Sequence, residues 1–323
     1  MSKPRVASLF AGIGGICQGF INAGCKIVYA NEIDKNACRT YRENFDGAPY
    51  LHEGDVYNQH LNKKDRIDIL TAGFPCQAFS IAGYRKGFED ERGVLYTEVH
   101  RLIDESKPKA VFYENVKNLQ SHDHGRTYRI IKEGLEDLGY SVTELVMNTC
   151  DYSDIPQNRE RIYVVAFKNN KKGECPAIDN FSFPDKTSYR KTLREMIDFS
   201  YQPNDYYYYD HNHKYYPLLD QAIDDPDTVY QWRRVYVRKN KKGMCPTLTA
   251  NMGTGGHNVP IIRDDHDIRK LTEYECLAFQ GFPENFHFPD SVARGQRYKQ
   301  IGNSVSVPVV KIIAENIVKA LNK

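Results

Sequence analysis

Arg5-Val6-Ala7-Ser8-Leu9-Phe10-Ala11-Gly12-Ile13-Gly14-Gly15 is a short β-rich apolar run that passes directly into glycines. A strand, a glycine-rich turn and a helix in that order begin a sheet covered by helices. Glycines let the backbone approach a bound molecule closely, and the first helical turn adds amide donors. The next β-rich run, Lys26–Asn31, leads into Glu32, Ile33 and Asp34. A carboxylate about twenty residues beyond the glycines stands where ribose hydroxyls can donate to it. Phe10, Ala11, Gly12, Gly14, Gly15, Glu32 and Ile33 therefore read as the cradle of an adenosine-containing cofactor. Gly54-Asp55-Val56 adds a second carboxylate where an adenine amino group would lie. The spacing Gly12-x-Gly14-Gly15 is not the Gly-x-Gly-x-x-Gly of dinucleotide enzymes, so a nicotinamide dehydrogenase is a poor second reading.

Outward from that stretch, β-rich runs at Ile67–Thr71, Ala110–Tyr113 and Arg161–Phe167 alternate with amphipathic segments. Leu95, Val99 and Leu102 fall at helical spacing, as do Tyr128, Ile131, Leu135 and Leu138. The pattern predicts an α/β domain, a parallel sheet with helices on both faces, whose ligands gather at the carboxyl ends of its strands. From about residue 181 the texture changes to short segments, scattered proline and four consecutive tyrosines, Tyr206–Tyr209. Charge separates there: Asp205–Asp227 holds six Asp and one Lys, whereas Arg233–Lys242 holds six basic residues and no acid. A second, small and irregular domain is expected over 181–284. Val310, Ile313, Ile317 and Leu321 share one helical face, so 285–323 is expected to return and complete the first domain, 1–180.

Composition bounds the function. The chain has 323 residues, 41% apolar and 27% charged, which excludes fibrous and disordered classes and suggests roughly two structural units. A net charge of +2 means that any polyanion site is a local patch. The first residues reach glycine before a signal-length apolar run forms, and no stretch has the roughly eighteen apolar residues of a membrane span. A cytoplasmic, nucleoid-associated monomer is expected. Eight cysteines at irregular intervals, with no Cys-x-x-Cys, indicate neither a disulfide framework nor a zinc site, and no metal is expected.

One cysteine stands apart. Ala72-Gly73-Phe74-Pro75-Cys76-Gln77-Ala78-Phe79-Ser80 follows a strand directly, with proline setting the backbone before the sulfur. The next strand ends in Tyr113-Glu114-Asn115-Val116, and Gln157-Asn158-Arg159-Glu160-Arg161 precedes another. A thiol, a carboxylate and guanidiniums thus converge from three strand ends, a set suited to nucleophilic catalysis. These blocks, with Phe10–Gly15, Glu32, Asp55, Arg269–Pro283 and Tyr298–Val305 in that order, resemble the cytosine-5 DNA methyltransferases of the bacterial restriction-modification type over essentially the whole chain.

The resemblance implies a doubly wound, Rossmann-like S-adenosylmethionine-dependent methyltransferase domain plus a small target-recognition domain. It also implies Pro75, Asn303 and Ser304 at the cofactor and double-stranded DNA as substrate, with a cognate restriction endonuclease as companion. Cys76 would add to carbon 6 of cytosine and make carbon 5 enamine-like, and the enamine would then take the sulfonium methyl. Glu114 would serve ring nitrogen 3 and Arg159 would clamp the carbonyl oxygen, while Arg161 would brace the pair or touch the base. The target base must flip out of the duplex. Gln77–Gly93 reads as the lid over it, with Gln77, Ser80, Arg85, Lys86 and Arg92 toward DNA. Pro246-Thr247-Leu248-Thr249-Ala250 resembles the family's Thr-Leu recognition core, placing Thr247 and Thr249 at DNA; Arg233, Arg234 and Arg238 precede it as readers of guanine. A transfer RNA cytosine-5 methyltransferase of the same family is the alternative. A binding protein with a dead site is disfavoured because Cys76, Glu114 and Arg159 are all present.

Overall fold

The computed structural model describes residues 2–74, 95–254 and 257–323. Two compact units divide the chain: Met1–Met147, Glu160–Asp185 and Pro308–Lys323 form one, and Asn148–Arg159 and Lys186–Val307 the other.

The first unit is built on a seven-stranded sheet: β1 (Arg5–Leu9), β2 (Lys26–Glu32), β3 (Leu51–Glu53), β4 (Ile69–Ala72), β5 (Ala110–Val116), β6 (Tyr140–Asn148) and β7 (Glu160–Lys168), in the order β3-β2-β1-β4-β5-β7-β6. Described helices between strands are α1 (Gly15–Asn22), α2 (Lys35–Asn44), α3 (Leu95–Ser106) and α4 (Arg126–Asp137). Pairs from β3 through β5 are parallel, whereas β7 runs antiparallel to β5 with Val116 opposite Arg161. Both faces of the sheet are covered, so β1, β4 and β5 are buried almost end to end, as their continuous apolar runs require. Strand order reverses between β1 and β4. The carboxyl ends of these two strands therefore mark the crevice where doubly wound sheets hold ligands. The helix Val307–Leu321 carries Val310, Ile313 and Ile317 into this core, and a Cβ on Gly19 would lie 2.5 Å from Val310.

The second unit is more regular than its sequence suggested. β8 (Tyr230–Trp232), β9 (Val237–Lys239), β10 (Val259–Arg263) and β11 (Ile268–Lys270) form an antiparallel sheet ordered β11-β10-β8-β9. One face buries Tyr230, Trp232, Val259 and Ile261 against Leu219 and Ile223. Three of these strands have three residues, too few for a period of two to be legible. Arg269 is fully buried and paired with Asp264 and Glu275, locking β11 to the capping box of the helix Glu273–Gln280.

Candidate functional site

At the carboxyl end of β1, Phe10, Gly12 and Gly14 have φ of 53°, 57° and 90° in succession. A bulky residue in that region is strained, and such strain persists where surrounding structure over-determines the backbone. Gly14 is required twice, by its φ and because a Cβ there would lie 2.4 Å from the Phe45 ring. Glu32 anchors the turn: one carboxylate oxygen accepts from Gly12 N at 2.8 Å, the other from Ile33 N and Asp34 N at 2.8 Å each. Three acceptor sites are thereby used, and about one of the roughly four on a carboxylate is left for a ligand hydroxyl. Ile33 beside it is 61% exposed, an apolar surface on which a flat base can lie. Asp34 instead caps α2, and Asp55 caps the single turn Val56–Asn58 by accepting from Tyr57 N.

β4 and β5 bring the next group together. Glu114 and Arg161 face each other across the β5–β7 ladder with Oε1 and Nε 3.1 Å apart, both nearly buried. A Cβ on Gly73 would lie 3.9 Å from the other Glu114 oxygen, so the chain passes beside that carboxylate just before Pro75-Cys76. Asn115, which the sequence did not single out, donates its side-chain amide to the buried Phe74 carbonyl at 2.9 Å. Its only sequence signal was its place between Glu114 and Val116. Pro75, Cys76, Gln77, Ser80, Arg85, Lys86 and Arg92 lie outside the described residues. The seven described cysteines are all buried and free, and burial pushes the Cys25 and Cys38 thiols up to about 11 and about 12, which leaves them poor nucleophiles at neutral pH.

Within the second unit, Arg159 is 2% exposed, and its guanidinium donates to the carbonyls of Leu248 (2.9 Å), Gly302 (3.3 Å) and Ser304. The fork expected to hold a base donates to three main-chain oxygens. A Cβ on Gly302 would lie 2.2 Å from the Thr249 backbone, so Thr247–Ala250 is pressed onto the helix Arg294–Asn303. Asn303 is exposed and Ser304 buried at that helix's end. Thr247 donates its hydroxyl to the Asn158 carbonyl at 2.7 Å, tying Thr247 to the Gln157–Arg159 stretch of the same unit.

A cavity of about 260 Å³ opens on the polar side of the β8–β9 ribbon. Its walls include Gln231, Arg233, Arg238, Lys241, Thr247 and Thr249. Gln231 and Arg238 are direct cross-strand partners. Arg234 is absent from that wall. Lys239 and Lys242 are paired with Asp224 and Asp225, so the acidic stretch neutralises part of the basic one. No ion pair involves Arg238 or Lys241 among the described residues.

Comparison with known proteins decides the family. The family model described as C-5 cytosine-specific DNA methylase matches residues 4–319. The chain belongs to that family. It is 50% identical to the Type II methyltransferase M.Bsp6I of Bacillus sp. (strain RFL6), covering 98% of this chain and 99% of that one. To M.HhaI of Haemophilus parahaemolyticus it is 38% identical, over 98% and 95% of the two chains. The fold is that of the S. pombe Dnmt2 methyltransferase structure, with a TM-score of 0.75 at 22% identity and coverage of 99% and 100%. Among the described residues, no helix is long and apolar enough to cross a membrane.

Proposed function

We propose that this methylase transfers a methyl group from S-adenosylmethionine to carbon 5 of a cytosine flipped out of a specific short sequence in double-stranded DNA. It acts as a cytoplasmic monomer beside a cognate restriction endonuclease. The observation that carries the reading is the Glu114–Arg161 pair at the edge where β4 leads into Pro75-Cys76. Residues at the β1–β2 edge fit the cofactor: left-handed glycines for close approach, Glu32 for a ribose hydroxyl, Ile33 for the adenine face and Asp55 for its amino group. When bound, the cofactor supplies an electrophilic methyl on its sulfonium.

The chain's own residues do the rest. Cys76 adds to carbon 6 of the base, and the electrons displaced into the ring are met at nitrogen 3 by Glu114. Arg161 fixes Glu114 and donates to the carbonyl oxygen of the same ring edge, the clamp first assigned to Arg159. Loss of the carbon 5 proton after methyl transfer expels the thiolate. Arg238, on the cavity wall and free of ion pairing, is the reader of guanine, and Lys241 meets phosphate. Purified protein given cofactor and a duplex with 5-fluorocytosine at the target should form a denaturant-resistant adduct, and Cys76→Ser should form none. Equal adduct from the variant removes Cys76 as nucleophile, and methylation of transfer RNA in place of duplex DNA establishes the alternative substrate.

A further inference from the structure

The loop closing the β8–β9 ribbon is Arg233-Arg234-Val235-Tyr236, and its geometry is unusual for a loop meant only to face water. Arg233 N donates to Tyr236 O at 2.9 Å and Val235 N to Arg233 O at 2.7 Å, while Arg234 is held at φ 65°. Asn258 braces the loop from just before the adjoining strand: its backbone N–H donates to Trp232 O, and its side-chain oxygen accepts from the Arg233 guanidinium. A β-branched residue is stiff, and this one is carried at the apex of a tied, strained turn. Val235 is 81% exposed, more than any other large hydrophobic described, and Tyr236 is 52% exposed.

Charge says what this apolar tip faces. Arg233 and Arg234 directly precede it, Arg238 and Lys241 follow it, and no acidic side chain lies between Arg233 and Lys242. Partial desolvation and those two arginines hold the neighbouring His257 imidazole below its ordinary value, as expected beside concentrated positive charge. A polyanion is the complementary surface, and a two-stranded ribbon fits the major groove of duplex DNA, about 12 Å wide. The apolar group displayed along the base edges of that groove is the thymine methyl.

We propose that the Arg233–Tyr236 tip enters the major groove and that Val235 packs on a thymine methyl, making the tip a determinant of preference at one position in or beside the recognition sequence. This rests on the DNA-methylase reading above. The test is methylation of a randomised duplex library by the full-length protein, with DNA affinity followed against salt. Wild type should prefer thymine at one position. Val235→Ala should lower that preference about three- to tenfold, the scale set by one or two methyl groups returned to water. Replacing thymine by uracil in the library should lower it equally, with no further loss when both changes are combined. The salt slope should be unchanged, because no phosphate contact is lost. A Val235→Ala profile identical to wild type overturns the inference, as does a loss uniform across all sequences. A wild-type protein that methylates none of the library is instead a failure of the DNA reading.

Discussion

A guanidinium that donates to three main-chain carbonyls and one that faces a buried carboxylate answer differently to the same substitution. Arg159 is the first kind and Arg161 the second. Lysine keeps the charge but not the fork, so it separates the two jobs. Arg159→Lys leaves buried oxygens unmet at about 1–3 kcal/mol each, and its melting temperature should fall by several degrees. Arg161→Lys keeps a cation beside Glu114 and should melt near wild type, while turnover falls about a hundredfold or more, the usual cost of removing one positioned donor. Calorimetry with single-turnover kinetics reads both, and the reverse pattern would return the base clamp to Arg159. Spacing alone did not separate them. Arg159 precedes β7 and Arg161 lies within it opposite Val116, and that strand boundary was not legible in the block. Residue types and order singled out Glu32 and Glu114 as candidates, because few other side chains suit a ribose hydroxyl or a protonated ring nitrogen, and the structure sets them on β2 and β5. Asn115 was missed because its bond to Phe74 O spans 41 residues.

Where α3 meets α4, the contact depends on one glycine and one histidine. A Cβ on Gly134 would lie 2.6 Å from the His100 ring, which lies between Tyr96, edge-on at 5.6 Å, and Tyr113, near-parallel at 6.5 Å. His100 Nε2 is buried with no hydrogen-bond partner among the described residues, and burial pushes the imidazole pKa down to about 4. Unfolded, the ring titrates near 6.5. Between pH 6.5 and 4 the unfolded chain binds the extra proton, so stability is full above 6.5 and falls as pH drops toward 4, by about 3 kcal/mol from this group. His100→Phe keeps a ring and removes the titration. Its melting temperature relative to wild type should rise from pH 7.5 to pH 4.5, and a constant difference would show that His100 is not a source of acid lability. At this scale the sequence was legible where burial is two-sided. The apolar runs at Lys26–Asn31 and Ala110–Tyr113 became β2 and β5, extended by one and three residues. β6 was missed because Tyr140–Asn148 is half-buried along most of its length and lacks such a run. β7 was placed but not its direction, since an antiparallel strand inside a parallel sheet has no local signature.

In the whole molecule the chain leaves the first unit a second time after Asp185 and rejoins it at Pro308. Its amino-terminal three fifths therefore cannot complete a core alone. The helix Val307–Leu321 supplies Val309, Val310, Ile313 and Ile317, all at 0% exposure, to a core otherwise drawn from before residue 186. Each such side chain contributes about 1.5–3 kcal/mol on burial, so together they supply about 6–12 kcal/mol. That is comparable to the about 5–15 kcal/mol by which a folded domain is stable at all. The amphipathic period at Val310, Ile313 and Ile317 was the ground for expecting 285–323 to return, since an apolar helix stripe has to be covered by something. A chain ending at Ser306 should lose cooperative unfolding of the first unit and become sensitive to protease. Ile313→Ala, which leaves a cavity rather than an open core, should stay folded with a loss of about 2–5 kcal/mol. The two variants together make the point testable by denaturant unfolding and limited proteolysis. A chain ending at Ser306 that unfolds cooperatively near the wild-type midpoint would mean that the helix only decorates a core already closed by the sheet.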